Sequence, residues 1–162
     1  MPLPFRSLAL ILLACALATP ASAELLTQKS LSAGMALTIA QTAMEACTKQ
    51  GFRVSVTVVG RNGEVLVQVR GDNTDPHSME NSFRKAYTSR TYRIPSGDLE
   101  KRVKDNPQTG AVFLSNITTG RGGLPIKLGE QVIGAVGVSG APSGNDEPCA
   151  KAGLDKIADE LK

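Results

Sequence analysis

The sequence is poor in aromatic residues. Its 162 residues include two tyrosines, four phenylalanines and no tryptophan. Single-stranded nucleic acids are held largely by stacking of bases on aromatic side chains, so this composition disfavours that class of ligand. The formal net charge of +3 is also too close to balance to indicate a nucleic-acid-binding surface. We expect no nucleic-acid partner.

Common catalytic motifs are missing as well. The chain has one histidine and lacks H-E-x-x-H, G-x-S-x-G and a P-loop ending in Gly-Lys-Ser/Thr. The glycine-rich segment 120–123 leads into a predicted strand, which favours a loop or ligand rim over a nucleotide site. We therefore assign no catalytic residue from the sequence.

The three cysteines include no C-x-x-C pair, so a redox motif or a thiolate zinc site is unsupported. Cys15 lies in the N-terminal apolar segment, which leaves Cys47 and Cys149 in the remainder of the chain. Two interpretations stay open for these two residues. They form a disulfide in an oxidising compartment, or they are separate buried thiols that act as small hydrophobes.

The first 23 residues have the pattern of a secretory signal peptide. Arg6 precedes the apolar run Leu8 to Ala18, and Ala21-Ser22-Ala23 provides small residues before Glu24. The run is shorter than the roughly 18 to 20 residues of a transmembrane helix. A lipoprotein site at Cys15 would leave too short an apolar region before it. We expect cleavage after Ala23, a periplasmic or secreted protein with no membrane attachment, and a single domain over residues 24–162.

Apolar periodicity predicts the first half of the domain. Helical spacing runs from about Thr27 to Gln50, where Gly51 would end the helix. Alternation over 52–58 predicts a strand with one buried face. Asn62-Gly63 separates it from a second apolar run, 65–69, and favours a tight antiparallel hairpin.

The second half alternates helices and strands. A helix capped by His77 or Ser78 is expected to reach Tyr92, and a short helix capped by Ser96 or Asp98 to end at Lys104. Two strands follow, 124–128 and 131–138, and then a final helix through Leu161. The order favours an α+β fold, an antiparallel sheet flanked by helices.

Basic residues are concentrated between positions 84 and 104. This excess is either a solvated helical face or a site for a small anionic ligand. Its members are Arg84, Lys85, Arg90, Arg93, Lys101, Arg102 and Lys104.

Four segments together resemble the signature of the GlcG/HbpS-like family, also called haem-degrading domains and related to the PduO C-terminal domain. Segment 58–63 also resembles the family's first hairpin, although Gly60 stands where an aspartate is usual. The resemblance implies a profilin-like fold and homo-oligomers from dimers to octamers. The segments are Phe83-Arg84-Lys85-Ala86-Tyr87-Thr88, Gly122-Gly123-Leu124-Pro125-Ile126, 134–140 and Asp146-Glu147-Pro148-Cys149-Ala150 with Gly153.

The resemblance and the predicted export together imply an exported haem-binding protein that sequesters, senses or degrades haem, with haem as the cofactor. Whether it is an enzyme stays open, because a bound redox-active iron needs no dedicated protein acid or base. The alternative is a binder of another small ligand, a corrinoid or a small hydroxy acid.

Haem needs an apolar slot, an axial iron ligand and partners for its propionates. His77 is the preferred iron ligand, ahead of Tyr87, Tyr92 and Met79, although a lone histidine in a polar loop is often merely exposed. Arg84 and Lys85 are the candidate propionate partners. Tyr87 and the loop residues Gly122, Gly123 and Pro125 complete the predicted ligand site. Tyr87 lies one helical turn from Phe83, which also fits a packing role.

The resemblance bears on the cysteines too. In the implied fold the terminal helices lie side by side, which would bring Cys47 near the end of the first helix to Cys149 near the start of the last. A Cys47–Cys149 disulfide is therefore predicted.

Overall fold

A four-stranded antiparallel sheet organises the fold, with the strand order β2-β1-β4-β3. The structure is a computed structural model that describes residues 24–111, 114–142 and 144–162. The predicted signal peptide and Cys15 lie outside the described residues. The strands are β1 Ser55–Val59, β2 Val65–Arg70, β3 Gly123–Leu128 and β4 Gln131–Ser139. The helices are α1 Ala33–Thr48, α2 Ser78–Tyr92, α3 Asp98–Asp105 and α4 Asp146–Lys156, with short 3₁₀ turns at Pro107–Thr109 and Ala158–Leu161.

The sheet is covered on both faces. Helices α1 and α4 pack on one face over a core that includes Val56 and Val58 of β1 and Val136 of β4. Helix α2 packs on the opposite face against Val59 and its neighbours. This arrangement confirms the predicted α+β fold with an antiparallel sheet flanked by helices.

The predicted hairpin at Asn62-Gly63 is confirmed. Strands β1 and β2 pair antiparallel, and Gly60 N–H donates to Glu64 O across the turn at 2.8 Å. Gly63 adopts φ +82°, a conformation that glycine accepts without steric cost. The expectation of a half-buried first strand is wrong, because every residue of β1 is buried. Both of its neighbours in the sheet and both covering layers exclude water from it.

Helix α1 begins later than its apolar spacing predicts. It starts at Ala33, where the Ser32 Oγ accepts a hydrogen bond from Met35 N–H at 3.2 Å. Leu31 is buried in the core although it precedes the helix. The apolar spacing therefore extends beyond the N-terminal end of α1, because residues before the helix, such as Leu31, also reach the core.

Helices α1 and α4 lie side by side, as expected for the terminal helices. Gly153 makes this possible, because a Cβ atom there would lie 2.6 Å from Ile39 O. Cys47 and Cys149 form a disulfide with Cα atoms 5.5 Å apart, and both are fully buried. The predicted continuous final helix is corrected in one respect, since α4 ends at Lys156 and a 3₁₀ turn follows.

Candidate ligand site

Helix α2 carries most of the predicted site residues, and its inward side is unusually polar. Ser55 and Ser78 hydroxyls are hydrogen-bonded at 2.8 Å, and those of Thr57 and Ser82 at 2.7 Å. All four residues are fully buried. Paired hydroxyls satisfy each other, so the helix–sheet contact buries polar atoms without leaving them unpartnered.

Close approach of α2 to the sheet depends on a glycine of β4. A Cβ at Gly137 would collide with Ser82 O and lie 2.5 Å from Ala86 N. Small residues on both sides thus let the helix backbone rest directly on the strand. The segment 134–140, which carries part of the family resemblance, is explained here by packing.

Lys85 lies in the interior. Its side chain is 6% exposed, and Nζ lies 2.6 Å from Oδ2 of Asp146, whose side chain is 5% exposed. Nζ also donates to Val138 O at 3.0 Å. The second carboxylate oxygen of Asp146 accepts Ala141 N–H at 2.9 Å. The ion pair therefore joins α2 to the start of α4 and to the end of β4.

Gly122 and Gly123 lie against this ion pair, and both are buried. Gly122 has φ +119°, and a Cβ there would lie 2.6 Å from Asp146 Cβ and 3.3 Å from Lys85 Nζ. A Cβ at Gly123 would collide with Lys85 O. We call Lys85, Asp146 and these two glycines the buried ion-pair node.

Pro125 and Ser96 have structural roles that differ from those predicted from the sequence. Pro125 is half-buried on the edge strand β3, opposite Ala135, where a missing N–H is tolerated. Ser96 does not cap α3 through its side chain. Its Oγ donates to Gly120 O at 2.6 Å and accepts Gly123 N–H at 2.9 Å, which holds the glycine-rich loop in place.

His77 and Arg84 come together on the solvent side of α2. With Glu80 and Asn81 they line an open cavity of about 280 Å³, which we call the His77 cavity. Helical spacing explains the grouping, because positions three, four and seven residues apart share one face. Arg84 Nε lies 3.0 Å from Glu80 Oε1. His77 is exposed and its side chain makes no capping hydrogen bond to α2.

Tyr87 lines a separate cavity of about 300 Å³, which we call the Tyr87 cavity. This cavity lies between the first hairpin and α2, and the Tyr87 ring packs with Phe83 at a centroid distance of 5.6 Å. The turn approaches closely, since a Cβ at Gly63 would lie 2.7 Å from Tyr87 Cε2. The lining residues are Arg61, Asn62, Gly63, Tyr87, Arg90 and Thr91.

Arg61 and Arg90 line this cavity although no sequence motif predicts them as site residues. Arg90 belongs to the basic stretch between positions 84 and 104. It follows Tyr87 by three residues, which places both on one side of α2 and was the signal available in the sequence. The pKa of Arg90 is lowered, first by burial and then by repulsion from Arg93 and Arg61, whereas Glu64 opposes the shift. The Tyr87 cavity is therefore positively charged.

The remaining candidate donors lie elsewhere. Tyr92 packs beside Leu99 and Ile117, and the carbonyl of Met79 accepts a hydrogen bond from Gln68. No group of three or more His, Cys, Asp or Glu residues in the described ranges is arranged to hold a metal ion. None of the helices within the described part of the chain is long and apolar enough to cross a membrane.

Comparison with known proteins identifies the class. A family model described as "Haem degrading protein HbpS-like" matches residues 31–155. Protein GlcG of Escherichia coli (strain K12) is 34% identical over 113 residues, which cover 70% of this chain and 84% of GlcG. The chain belongs to the HbpS-like family, which confirms the resemblance found in the sequence.

Solved structures agree with this assignment. The crystal structure of HbpS has 37% sequence identity and a TM-score of 0.78, with 85% of this chain and 97% of that chain covered. The HbpS double mutant from Streptomyces reticuli gives 36% identity and a TM-score of 0.77 over 85% of this chain and 96% of that chain. The PduOC:heme complex shares 22% identity, with a TM-score of 0.73 over 78% of this chain and 94% of that one, and shows the fold alone.

Proposed function

We propose that this chain is an exported haem-binding protein that sequesters, senses or degrades haem, with the iron held at the His77 cavity. The family description names haem degradation, and the relative of known structure with 37% identity is HbpS. The observation that carries the proposal is that His77 and Arg84 line one cavity on α2. They are an imidazole donor for iron and a cation for a propionate.

The donor set fits haem in its polar requirements. The exposed imidazole of His77 has no capping hydrogen bond to break before it can coordinate a metal. Arg84 is held by Glu80 at 3.0 Å, and a propionate would replace that carboxylate as its partner. When bound, haem would supply the redox chemistry that the protein residues lack.

The residues of the His77 cavity do not meet the apolar requirement, because all four of them are polar or charged. The His77 cavity is about 280 Å³, which is below the roughly 300 to 1,000 Å³ of typical ligand pockets, and one chain alone does not enclose a haem there. The faces of a porphyrin need apolar cover to leave water. We therefore propose that a second copy of the chain covers the ring, in keeping with the homo-oligomer that the resemblance implies.

The proposed export is supported by the buried disulfide between Cys47 and Cys149. Disulfides persist in the periplasm and outside the cell and are rare in the cytosol. Intact-mass analysis of the exported protein tests the cleavage site. A chain that begins at Glu24 supports the predicted cleavage site, and one that begins at a lipidated Cys15 would overturn the prediction of a protein without membrane attachment.

Haemin titration followed at the Soret band tests the ligand. We expect the purified protein to shift the band, His77→Ala to weaken binding and change the spectrum, and Arg84→Gln to weaken binding while the spectrum is kept. Both residues lie on the solvent side of α2, so both variants should fold. Tyr87→Phe is the control, because Tyr87 belongs to the other cavity.

The outcomes separate the possible roles. A shifted band that is stable to peroxide and ascorbate indicates sequestration or sensing, and one that then bleaches indicates degradation. An unchanged spectrum in His77→Ala with an altered one in Tyr87→Phe would show that the iron ligand is wrong. No shift in the unmodified protein would reject haem in favour of a corrinoid or a small hydroxy acid.

A further inference from the structure

The Tyr87 cavity presents two arginines at the end of α2. Arg61 comes from the first hairpin and Arg90 from the last turn of the helix. Tyr87 also lines the cavity, and its ring lies close to Gly63. The cavity does not share a lining residue with the His77 cavity, so it is a second place where a ligand can contact α2.

Arg61 is positioned before any ligand arrives. Its Nε and Nη2 donate to Lys29 O at 3.1 and 2.9 Å, and Nη2 also donates to Gln131 Oε1 at 3.3 Å. These bonds occupy one edge of the guanidinium and fix its plane. A preorganised donor loses less conformational entropy when a ligand binds.

Arg90 has an unused donor. Its Nε is buried and has no hydrogen-bond partner in the described part of the structure. An unsatisfied buried N–H costs free energy that a bound acceptor would recover. Arg90 lines the cavity, so an acceptor on a ligand bound there is a candidate partner for this N–H.

Positive charge at this place is only partly balanced by the protein. Burial and repulsion from Arg93 and Arg61 lower the pKa of Arg90, which shows that the three guanidiniums interact unfavourably. The Glu64 carboxylate, whose Oε2 accepts Asn62 N–H at 2.8 Å, opposes this repulsion but is one negative charge against three guanidiniums. The negative end of the α2 dipole also favours cations here, without cancelling the charge.

We propose that the Tyr87 cavity binds a small organic carboxylate, with Arg61 and Arg90 as its charged partners and the Tyr87 ring against its carbon skeleton. Guanidinium matches the planar carboxylate with two parallel hydrogen bonds. A volume of about 300 Å³ suits a molecule of metabolite size and is at the lower limit of ligand pockets. The site is independent of the proposed haem function.

Isothermal titration calorimetry with succinate tests the proposal, with inorganic phosphate as a second probe and ionic strength held constant. Loss of one charge-assisted contact is expected to weaken succinate binding about tenfold or more in Arg90→Gln. Arg90→Lys keeps the positive charge but lacks the planar guanidinium that forms two parallel hydrogen bonds, so intermediate succinate affinity is expected. Lys101→Gln is the charge-matched control on α3 and should bind like the unmodified protein.

Two further measurements locate the effect. The ¹⁵Nε resonance of Arg90 should shift on addition of succinate, and Arg90→Gln should bind haemin like the unmodified protein. Equal succinate affinity in Arg90→Gln and the unmodified protein would overturn the proposal. Binding of phosphate without binding of succinate would overturn the carboxylate class.

Discussion

Replacement of Lys85 by methionine tests whether this residue holds the fold or contacts a ligand. The change removes the ammonium and leaves the carboxylate of Asp146, 5% exposed, with Ala141 N–H as its remaining partner. Removal of one member of a buried ion pair typically costs about 3 to 5 kcal/mol, because the other charge stays buried without compensation. Since domains of this size are stable by only about 5 to 15 kcal/mol, we expect a severely destabilised protein.

Urea unfolding followed by far-UV circular dichroism measures this cost. The transition midpoint should fall while the slope with urea stays unchanged. Lys151→Met is the matched control, because Lys151 and Asp155 form an equally short pair at 2.6 Å with side chains 66% and 61% exposed. An exposed pair contributes about 1 kcal/mol or less, so the control should unfold almost like the unmodified protein.

The double variant Lys85→Met/Asp146→Asn completes the test. Once both charges are gone, neither is left uncompensated, so the double variant should lose less stability than the two single variants together. A cost below about 1 kcal/mol for Lys85→Met would refute the reasoning. If that variant were stable and failed to bind haemin, Lys85 would instead be the ligand residue that its position in the sequence predicts.

Removal of the disulfide by Cys47→Ser/Cys149→Ser should destabilise the fold by up to about 4 to 5 kcal/mol in the chain-entropy model, measured by urea unfolding, because the bond spans a sequence separation of 102 residues. Gly137→Ala should lower the melting temperature measured by calorimetry, because its Cβ would collide with the backbone of α2. The pKa of Glu100 lies below its ordinary value because of the hydrogen bond from Lys104, so NMR titration of Lys104→Met should show it rising. A depressed carboxyl pKa means that this pair stabilises the fold above the ordinary glutamate pKa, and that the contribution is lost as the pH falls through the lowered value.

Strong local signals predicted the elements that depend on local geometry. The first hairpin formed where Asn62-Gly63 requires it, and α2 begins at Ser78 directly after the Pro76 loop. The bounds of α1 and the burial of β1 were predicted less well. Both depend on what packs against the segment from distant parts of the chain, and periodicity within the segment does not contain that information.

The inward side of α2 shows that periodicity within a segment is also a limited guide to functional residues. Its buried residues include Ser78, Ser82 and Lys85, whereas Phe83 and Tyr87 are half-buried at the side. Hydrophobic periodicity therefore predicts that the buried face of α2 is centred on Phe83 and Tyr87, whereas the observed buried face is centred on polar residues. Hydroxyl pairing across the helix–sheet contact is visible only when β1 and α2 are seen together, so the sequence did not distinguish a ligand-contacting lysine from a buried one.

The segments that identify the family contain residues of two kinds, some that secure the fold and some that line the open cavities. Lys85, Gly122, Gly123 and Asp146 all lie within signature segments, and in the structure they contact one another in the buried ion-pair node. Arg84 and Tyr87 also lie within a signature segment but line the open cavities, together with His77 and Arg90 from outside it. Because the signature residues secure the close approach of α2, β3 and α4, they specify the fold. If the proposed sites are correct, we expect ligand choice to depend on the cavity-lining side chains of α2, because fold alone does not determine function.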